Sequence, residues 1–184
     1  MRNYFLGLCL LFALCFTACS HSDDSVDVLI IGGGASGVTA GIQSARMGAA
    51  TLIVEETEWL GGMLTSAGVS AVDGNYDLPA GLFGEFREHL ADYYGGLDSL
   101  KTGWVSAVLF EPSVGNKIFH EMVDVEKNLK VWHNATLVKL EREKDVWIAQ
   151  IQMKDNTIKK IHAKILIDGT ESVSYTHLRA HETG

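Results

Sequence analysis

The stretch VDVLIIGGGASGVTAGIQSARMGAATLIVEE, residues 26–56, decides the fold. It opens on Val28 to Ile31, an apolar run of the length and character of a buried parallel strand. Gly32, Gly34 and Gly37 follow in G-x-G-x-x-G spacing. A helical pattern of small residues then runs to about Met47, with Gly48 as its stop. A second apolar run, Thr51 to Val54, ends on Glu55. The pattern predicts a β-α-β unit with a glycine-rich first turn. Gly32 permits the tight turn, Gly34 lets backbone approach a pyrophosphate, and Gly37 lets the helix pack close to the sheet. The helix start at Gly34, Ala35, Ser36 and Gly37 offers free N–H groups and a partial positive charge to the phosphates. Glu55, 23 positions after Gly32 at the end of the second strand, is placed to accept hydrogen bonds from a ribose diol. A carboxylate there disfavours a 2′-phosphate, so an NADP-type nucleotide is not expected.

Composition narrows the alternatives. A chain of 184 residues has room for one domain and a leader. A formal charge of −8 argues against nucleic acid and against an anionic membrane surface as partners. All three cysteines, Cys9, Cys15 and Cys19, fall in the first nineteen residues, so the folded part is expected to hold no disulfide or redox pair. Residues 1–19 read as a secretory leader: Arg2 is the positive start, Tyr4 to Phe16 the apolar core, and Thr17-Ala18 the small residues before a cleavage point. Phe16-Thr17-Ala18-Cys19 resembles the bacterial lipobox, with phenylalanine where that motif usually has leucine. The resemblance implies lipidation at Cys19, a membrane anchor, and residence in the periplasm or on the outer-membrane surface. Ser20 to Ser25 then reads as a polar, acidic tether.

Beyond the β-α-β unit comes Trp59 followed by LGGMLTSAGVS, residues 60–70. A G-x-G-x-x-G unit ending in glutamate and followed by a Gly-Gly pair resembles the FAD-binding fold of the glutathione-reductase type. Within it, this stretch is similar to the family of FAD-dependent oxidoreductases, sometimes called xanthan-lyase-like. The resemblance implies that the Gly61-Gly62 turn passes close to the flavin's phosphates and ribityl chain. The residues agree, since paired glycines let backbone N–H groups approach an anion without Cβ obstruction. Thr65 and Ser66 have two readings, hydroxyls turned to the flavin or bonded to local backbone.

Asp77 to Gly95 reads as a turn and a helix, with apolar positions at Leu82, Phe83, Phe86, Leu90 and Tyr94. Leu97 to Phe110 has no clean period and is expected to be irregular. Glu111-Pro112-Ser113 starts another helix with Phe119 and Met122 on its apolar face, closing a helical insertion over about residues 78–128. In the resembled family this region also reads roughly FEP followed by a helix. Four short strands are then expected, over residues 129–132, 136–142, 146–153 and 157–161, and a last one over 165–167. The resemblance makes the later three the fold's crossover meander, with backbone near Leu137 against the adenine and Asp168-Gly169 against the diphosphate. His89 and His120 read as surface or packing residues. Ser172 to Gly184 does not continue the family pattern and is similar to a translated sequencing-adapter tail. His177 and His181 stand four apart, but without a third ligand no metal site is expected.

These readings imply an α/β, Rossmann-like FAD/NAD(P)-binding domain over residues 26–171, with a parallel sheet, a meander and a C-terminal truncation. The resembled activity is hydride or two-electron transfer between a small-molecule substrate and FAD, in a fragment that is itself inactive. An NAD-dependent dehydrogenase shares the first motif without accounting for Gly61-Gly62. A surface lipoprotein using the fold only for binding is the non-enzymatic alternative. No catalytic acid or base stands out.

Overall fold

β1 (Asp24–Ile31) runs through the middle of a six-stranded sheet, flanked in parallel by β2 (Thr51–Val54) and β6 (Ile158–Asp168). This computed structural model describes residues 24–73, 78, 80–104 and 106–171. The strand order is β3-β2-β1-β6-β5-β4, where β3 spans Leu129–Trp132, β4 Thr136–Glu143 and β5 Val146–Gln152. A strand with neighbours on both edges and layers on both faces needs apolar side chains at every position, not at alternate ones. That is why Val28, Leu29, Ile30 and Ile31 form an unbroken apolar run, all four of them buried.

The two faces of the central strands feed separate clusters. Val28, Ile30 and Ile53 pack with Val38, Ile42 and Ala45 of α1 (Ala35–Arg46). The same cluster takes in Phe86 and Leu90 of α2 (Gly81–Tyr94) and Ile118, Phe119 and Met122 of α3 (Pro112–Asp124). Leu29, Ile31, Leu52 and Val54 point the other way, onto Ala149 and Ile151 of β5 and Ile161 and Ala163 of β6. The meander therefore covers the back of the parallel strands. Each buried valine, leucine or isoleucine among them contributes about 1.5–3 kcal/mol by its removal from water.

Two local expectations change. The separate strands read over 157–161 and 165–167 are one strand of 11 residues, β6, whose early part pairs antiparallel with β5 while its later part runs parallel to β1. His162-Ala163-Lys164 holds no glycine or proline, so nothing interrupts the extended chain between the two partners. The tether read over Ser20 to Ser25 is shorter, because Asp24 and Ser25 already belong to β1 and pair with Ile161 and His162. Lys164 also donates to Asp27 at 2.6 Å, and that hydrogen bond holds the Asp27 carboxyl below its ordinary value. Within 97–110, Leu97–Leu100 forms a 3₁₀ turn and Ala71 bridges to Leu109. Buried Ser106 donates its hydroxyl to the Val72 carbonyl at 2.6 Å, pinning that segment without any periodic pattern.

The insertion is tied to the nucleotide-type unit by Arg46, in the last turn of α1. Its guanidinium donates two bonds to Glu85 of α2, at 2.7 and 2.8 Å, and one to Glu126 just after α3, at 2.6 Å. The Arg46 hydrogen bond lowers the Glu85 pKa from an ordinary 4.5. Stability from this pair is therefore fully present above about pH 4.5 and is lost as the pH falls through the depressed folded value. Because these side chains are about one-third exposed, Arg46→Met is expected to cost only about 1 kcal/mol at pH 7. In urea denaturation the gap between wild type and variant should narrow as the pH is lowered from 7 to 3. A gap of the same size at both pH values would rule out the ion pair as its source.

Candidate cofactor site

The carboxyl ends of β1 and β2 open into a cleft of about 410 Å³, where ligands of open α/β sheets bind. Gly32 and Gly169 line it, and with Gly37 behind them they interlock. Gly32 has φ +94°, and a Cβ there would lie 2.5 Å from the Thr170 nitrogen. A Cβ on Gly37 would lie 2.0 Å from the Gly32 carbonyl oxygen, and one on Gly169 would lie 2.7 Å from the Gly37 Cα. The end of β1, the start of α1 and the end of β6 thus meet backbone to backbone. Gly34 caps α1 with no side-chain hydrogen bond, and no acid lies in the first turn. The N–H groups of that turn are left to face a ligand.

Glu55 organises the opposite end. Its Oε2 accepts the Gly33 N–H at 2.7 Å, while Oε1 accepts the Thr57 N–H at 2.9 Å and the Thr57 hydroxyl at 2.8 Å. A carboxylate offers about four acceptor positions. Glu55 therefore keeps acceptor capacity toward the cleft it lines, and its orientation is fixed by the chain's own donors.

The Gly-Gly turn abuts the first glycine turn directly. Gly61 donates its N–H to the Gly33 carbonyl at 2.8 Å, with φ +103° at Gly61 and +50° at Gly62. It is positioned from the insertion. Asn116 of α3 accepts the Leu60 N–H at 2.8 Å, and a Cβ on Gly61 would lie 2.6 Å from the Phe119 ring. Thr65 is buried and donates to the Leu60 carbonyl at 2.6 Å; Ser66 donates to that of Gly62 at 3.1 Å. Both hydroxyls are satisfied by local backbone, although Ser66 also lines the cleft. Asn116→Leu should strand the Leu60 N–H, costing about 1–3 kcal/mol in thermal melts and weakening flavin retention. A variant with wild-type stability and retention would remove Asn116 from the site's support.

Of the residues singled out in the sequence, Gly32, Gly34, Glu55, Gly62, Leu137 and Gly169 line the cleft together. Ala35, Ser36, Gly37 and Gly61 stand behind that surface as the walls of the two turns. Asp168 points back on its own turn, where its carboxylate accepts the Thr170 N–H at 3.0 Å and hydroxyl at 2.6 Å. Thr57 and Glu171 are among the lining residues that no motif announced. Glu171 Oε1 accepts the Met63 N–H at 3.0 Å. His120 packs on His133 with ring centroids 5.1 Å apart, and neither lines the cleft. Among the described residues no cluster of His, Cys, Asp or Glu could hold a metal ion, and no helix is long and apolar enough to cross a membrane. Cys19, His177 and His181 lie outside the described residues.

A glycine-rich β-α-β turn, an acid closing the second strand and a meander over the back of a mostly parallel sheet define a Rossmann-like FAD-binding domain. The chain belongs to the family of FAD dependent oxidoreductases, whose family model matches residues 27–177. Solved structures share the fold at low identity. The myxobacterial chondrochloren halogenase CndH, described as a variant of FAD-dependent halogenases, aligns over 82% of this chain and 38% of its own, at 12% identity and a TM-score of 0.59. The rebeccamycin biosynthetic enzyme RebC, solved with reduced flavin, covers 87% of this chain and 35% of its own, at 17% and 0.58. A geranylgeranyl bacteriochlorophyll reductase-like protein from Thermoplasma acidophilum covers 79% and 39%, at 18% and 0.54. This chain thus spans well under half the length of these solved relatives. No curated protein matches the sequence.

Proposed function

We propose that this chain is the cofactor-holding part of an exported flavoprotein oxidoreductase, anchored to the bacterial envelope by a lipid on Cys19. The observation that carries the cofactor reading is a cleft bounded by the Glu55 carboxylate at one end and by Gly34, Gly62 and Gly169 at the other. The residues fit an extended dinucleotide. A side chain at Gly34 or Gly62 would fill the cradle, the uncapped first turn of α1 suits a diphosphate, and Glu55 suits a ribose diol. Leu137 and Ala135, both lining the cleft, would border the adenine. FAD, once held there, supplies hydride or two-electron transfer with a small-molecule substrate, and the protein contributes binding and orientation. That chemistry belongs to the longer protein of which such a domain forms a part, and the substrate partner is a small molecule of unassigned class. Nucleic acid has no place in this reading, and a formal charge of −8 supports leaving it out.

Purified chain incubated with FAD and passed through a desalting column should retain yellow absorbance in the flavin band. Retention of NAD in place of FAD would favour a dehydrogenase. Retention of neither would overturn the cofactor reading. Palmitate incorporation into the full-length protein in a bacterial host, lost in Cys19→Ser, tests the anchor independently.

A further inference from the structure

We propose that the Glu171 carboxylate is a resident competitor for the cofactor's diphosphate, seated on the phosphate cradle and displaced from it when a dinucleotide enters. The inference rests on the FAD reading above and adds a residue of opposite effect to the same cleft. Glu171 lies just beyond the end of β6, and its side chain turns back across the cleft opening. Its Oε1 accepts the Met63 N–H at 3.0 Å. The same oxygen lies 2.5 Å from where a Cβ on Gly62 would stand and 3.1 Å from where one on Gly34 would stand. The carboxylate therefore bridges the two glycine turns and rests over the uncapped start of α1.

An anion in that position takes what a phosphate oxygen would take, a backbone N–H and the positive end of a helix. A diphosphate cannot share it. Two like charges a few ångströms apart repel strongly wherever the surroundings are less polarisable than bulk water. Glu171 is exposed, so its carboxylate has solvent to move into, and its departure frees the Met63 N–H for the incoming phosphate. The two glutamates of the cleft thus act in opposite directions. Glu55 is fixed by three donors of the chain and adds affinity through ribose hydroxyls. Glu171 accepts from one donor among the described residues and subtracts affinity at the diphosphate.

The test uses the full chain carrying Glu171→Gln, which keeps the side chain's shape and removes its charge. Adenosine, ADP and FAD are titrated by calorimetry into wild type and variant, with circular dichroism melts confirming an unchanged fold. ADP and FAD should bind about tenfold more tightly to the variant, the scale of one charge-assisted hydrogen bond that need no longer be broken. Adenosine, which carries no phosphate, should bind both proteins equally. The gain should shrink in 1 M salt, where charges are screened beyond about 3 Å. Equal or weaker binding of ADP and FAD by the variant overturns the proposal and leaves Glu171 a spectator or a ligand. A wild-type chain that binds neither adenosine nor ADP defeats the FAD reading itself, and the proposal with it.

Discussion

Replacing Glu55 with alanine is expected to weaken FAD binding tenfold to a hundredfold. A hydrogen bond to a charged group contributes about 1.5–3 kcal/mol, and the ribose would lose at least one. The variant also loses internal order. The Gly33 N–H, 2.7 Å from Oε2, and the Thr57 N–H, 2.9 Å from Oε1, are both left without their acceptor. Gly33 in turn carries the Gly61 N–H on its carbonyl, so movement at Gly33 reaches the Gly-Gly turn. Glu55→Gln should fall between, because its amide can still offer one oxygen but turns a donor toward the other N–H. Loss of affinity alone would not separate a ribose contact from a structural role. A cycle pairing Glu55→Ala with 2′-deoxy-ADP does. If the carboxylate bonds the ribose hydroxyls, the two deletions are non-additive, since the second removes a contact the first has already broken. Strict additivity in calorimetry would assign Glu55 to the scaffold and not to the ligand.

The same residue shows why some of the site was legible in the sequence and some was not. Gly32 to Glu55 is local in its logic: strand, turn, helix and strand each announce themselves by period or by a breaker, and the acid falls at the strand end. Pro112 likewise marks the first turn of α3, where Glu111 is the cap. Contacts between distant segments carry no such mark. Asn116 reaches Leu60 across 56 positions and Glu171 reaches Met63 across 108. Neither is part of a spacing rule. A polar side chain at Asn116, three residues before Phe119 and on the same side of an amphipathic helix, was the one local hint that α3 supports something other than core. The expectation of two separate strands, where β6 runs unbroken, failed for a related reason. Lys164 breaks the apolar run, yet as an exposed residue it only needs solvent and Asp27, so a charge in the pattern did not mean a turn in the chain.

The insertion helices acquire a role from these long-range contacts. Phe119 stacks on Phe86 with ring centroids 4.4 Å apart and presses on Gly61, so α2 and α3 act as one wedge behind the Gly-Gly turn. Arg46 fastens that wedge to α1, the helix whose start faces the cleft. Cleft geometry is thus set from both ends of α1.

Gly37→Ala should be the most damaging single change in the glycine motif, and here two physical effects have opposite signs. Helix propensity alone favours alanine over glycine by about 1 kcal/mol. Packing opposes it, since the new Cβ would lie 2.0 Å from the Gly32 carbonyl oxygen and 3.4 Å from Ile30 Cγ2. That oxygen belongs to backbone and cannot swing away. The Gly32 N–H is bound to the Val54 carbonyl at 2.8 Å, and Gly32 is backed by Gly169 and Thr170. Relief therefore requires α1 to retreat from the sheet by roughly 1 Å, which lifts its first turn off the cleft and loosens the bridge between Gly34 and Gly61. A net loss of about 3 kcal/mol follows, lowering the melting temperature by about 6–12 °C for a domain of this size. FAD affinity should fall at least tenfold, because the N–H groups proposed to meet the diphosphate move with the helix. Ser36→Ala, at an exposed position one residue earlier, gains only the propensity and should leave both values nearly unchanged. If Gly37→Ala instead melts higher than wild type and keeps its flavin, the start of α1 does not lie against the end of β1, and the cradle described for the diphosphate has the wrong shape.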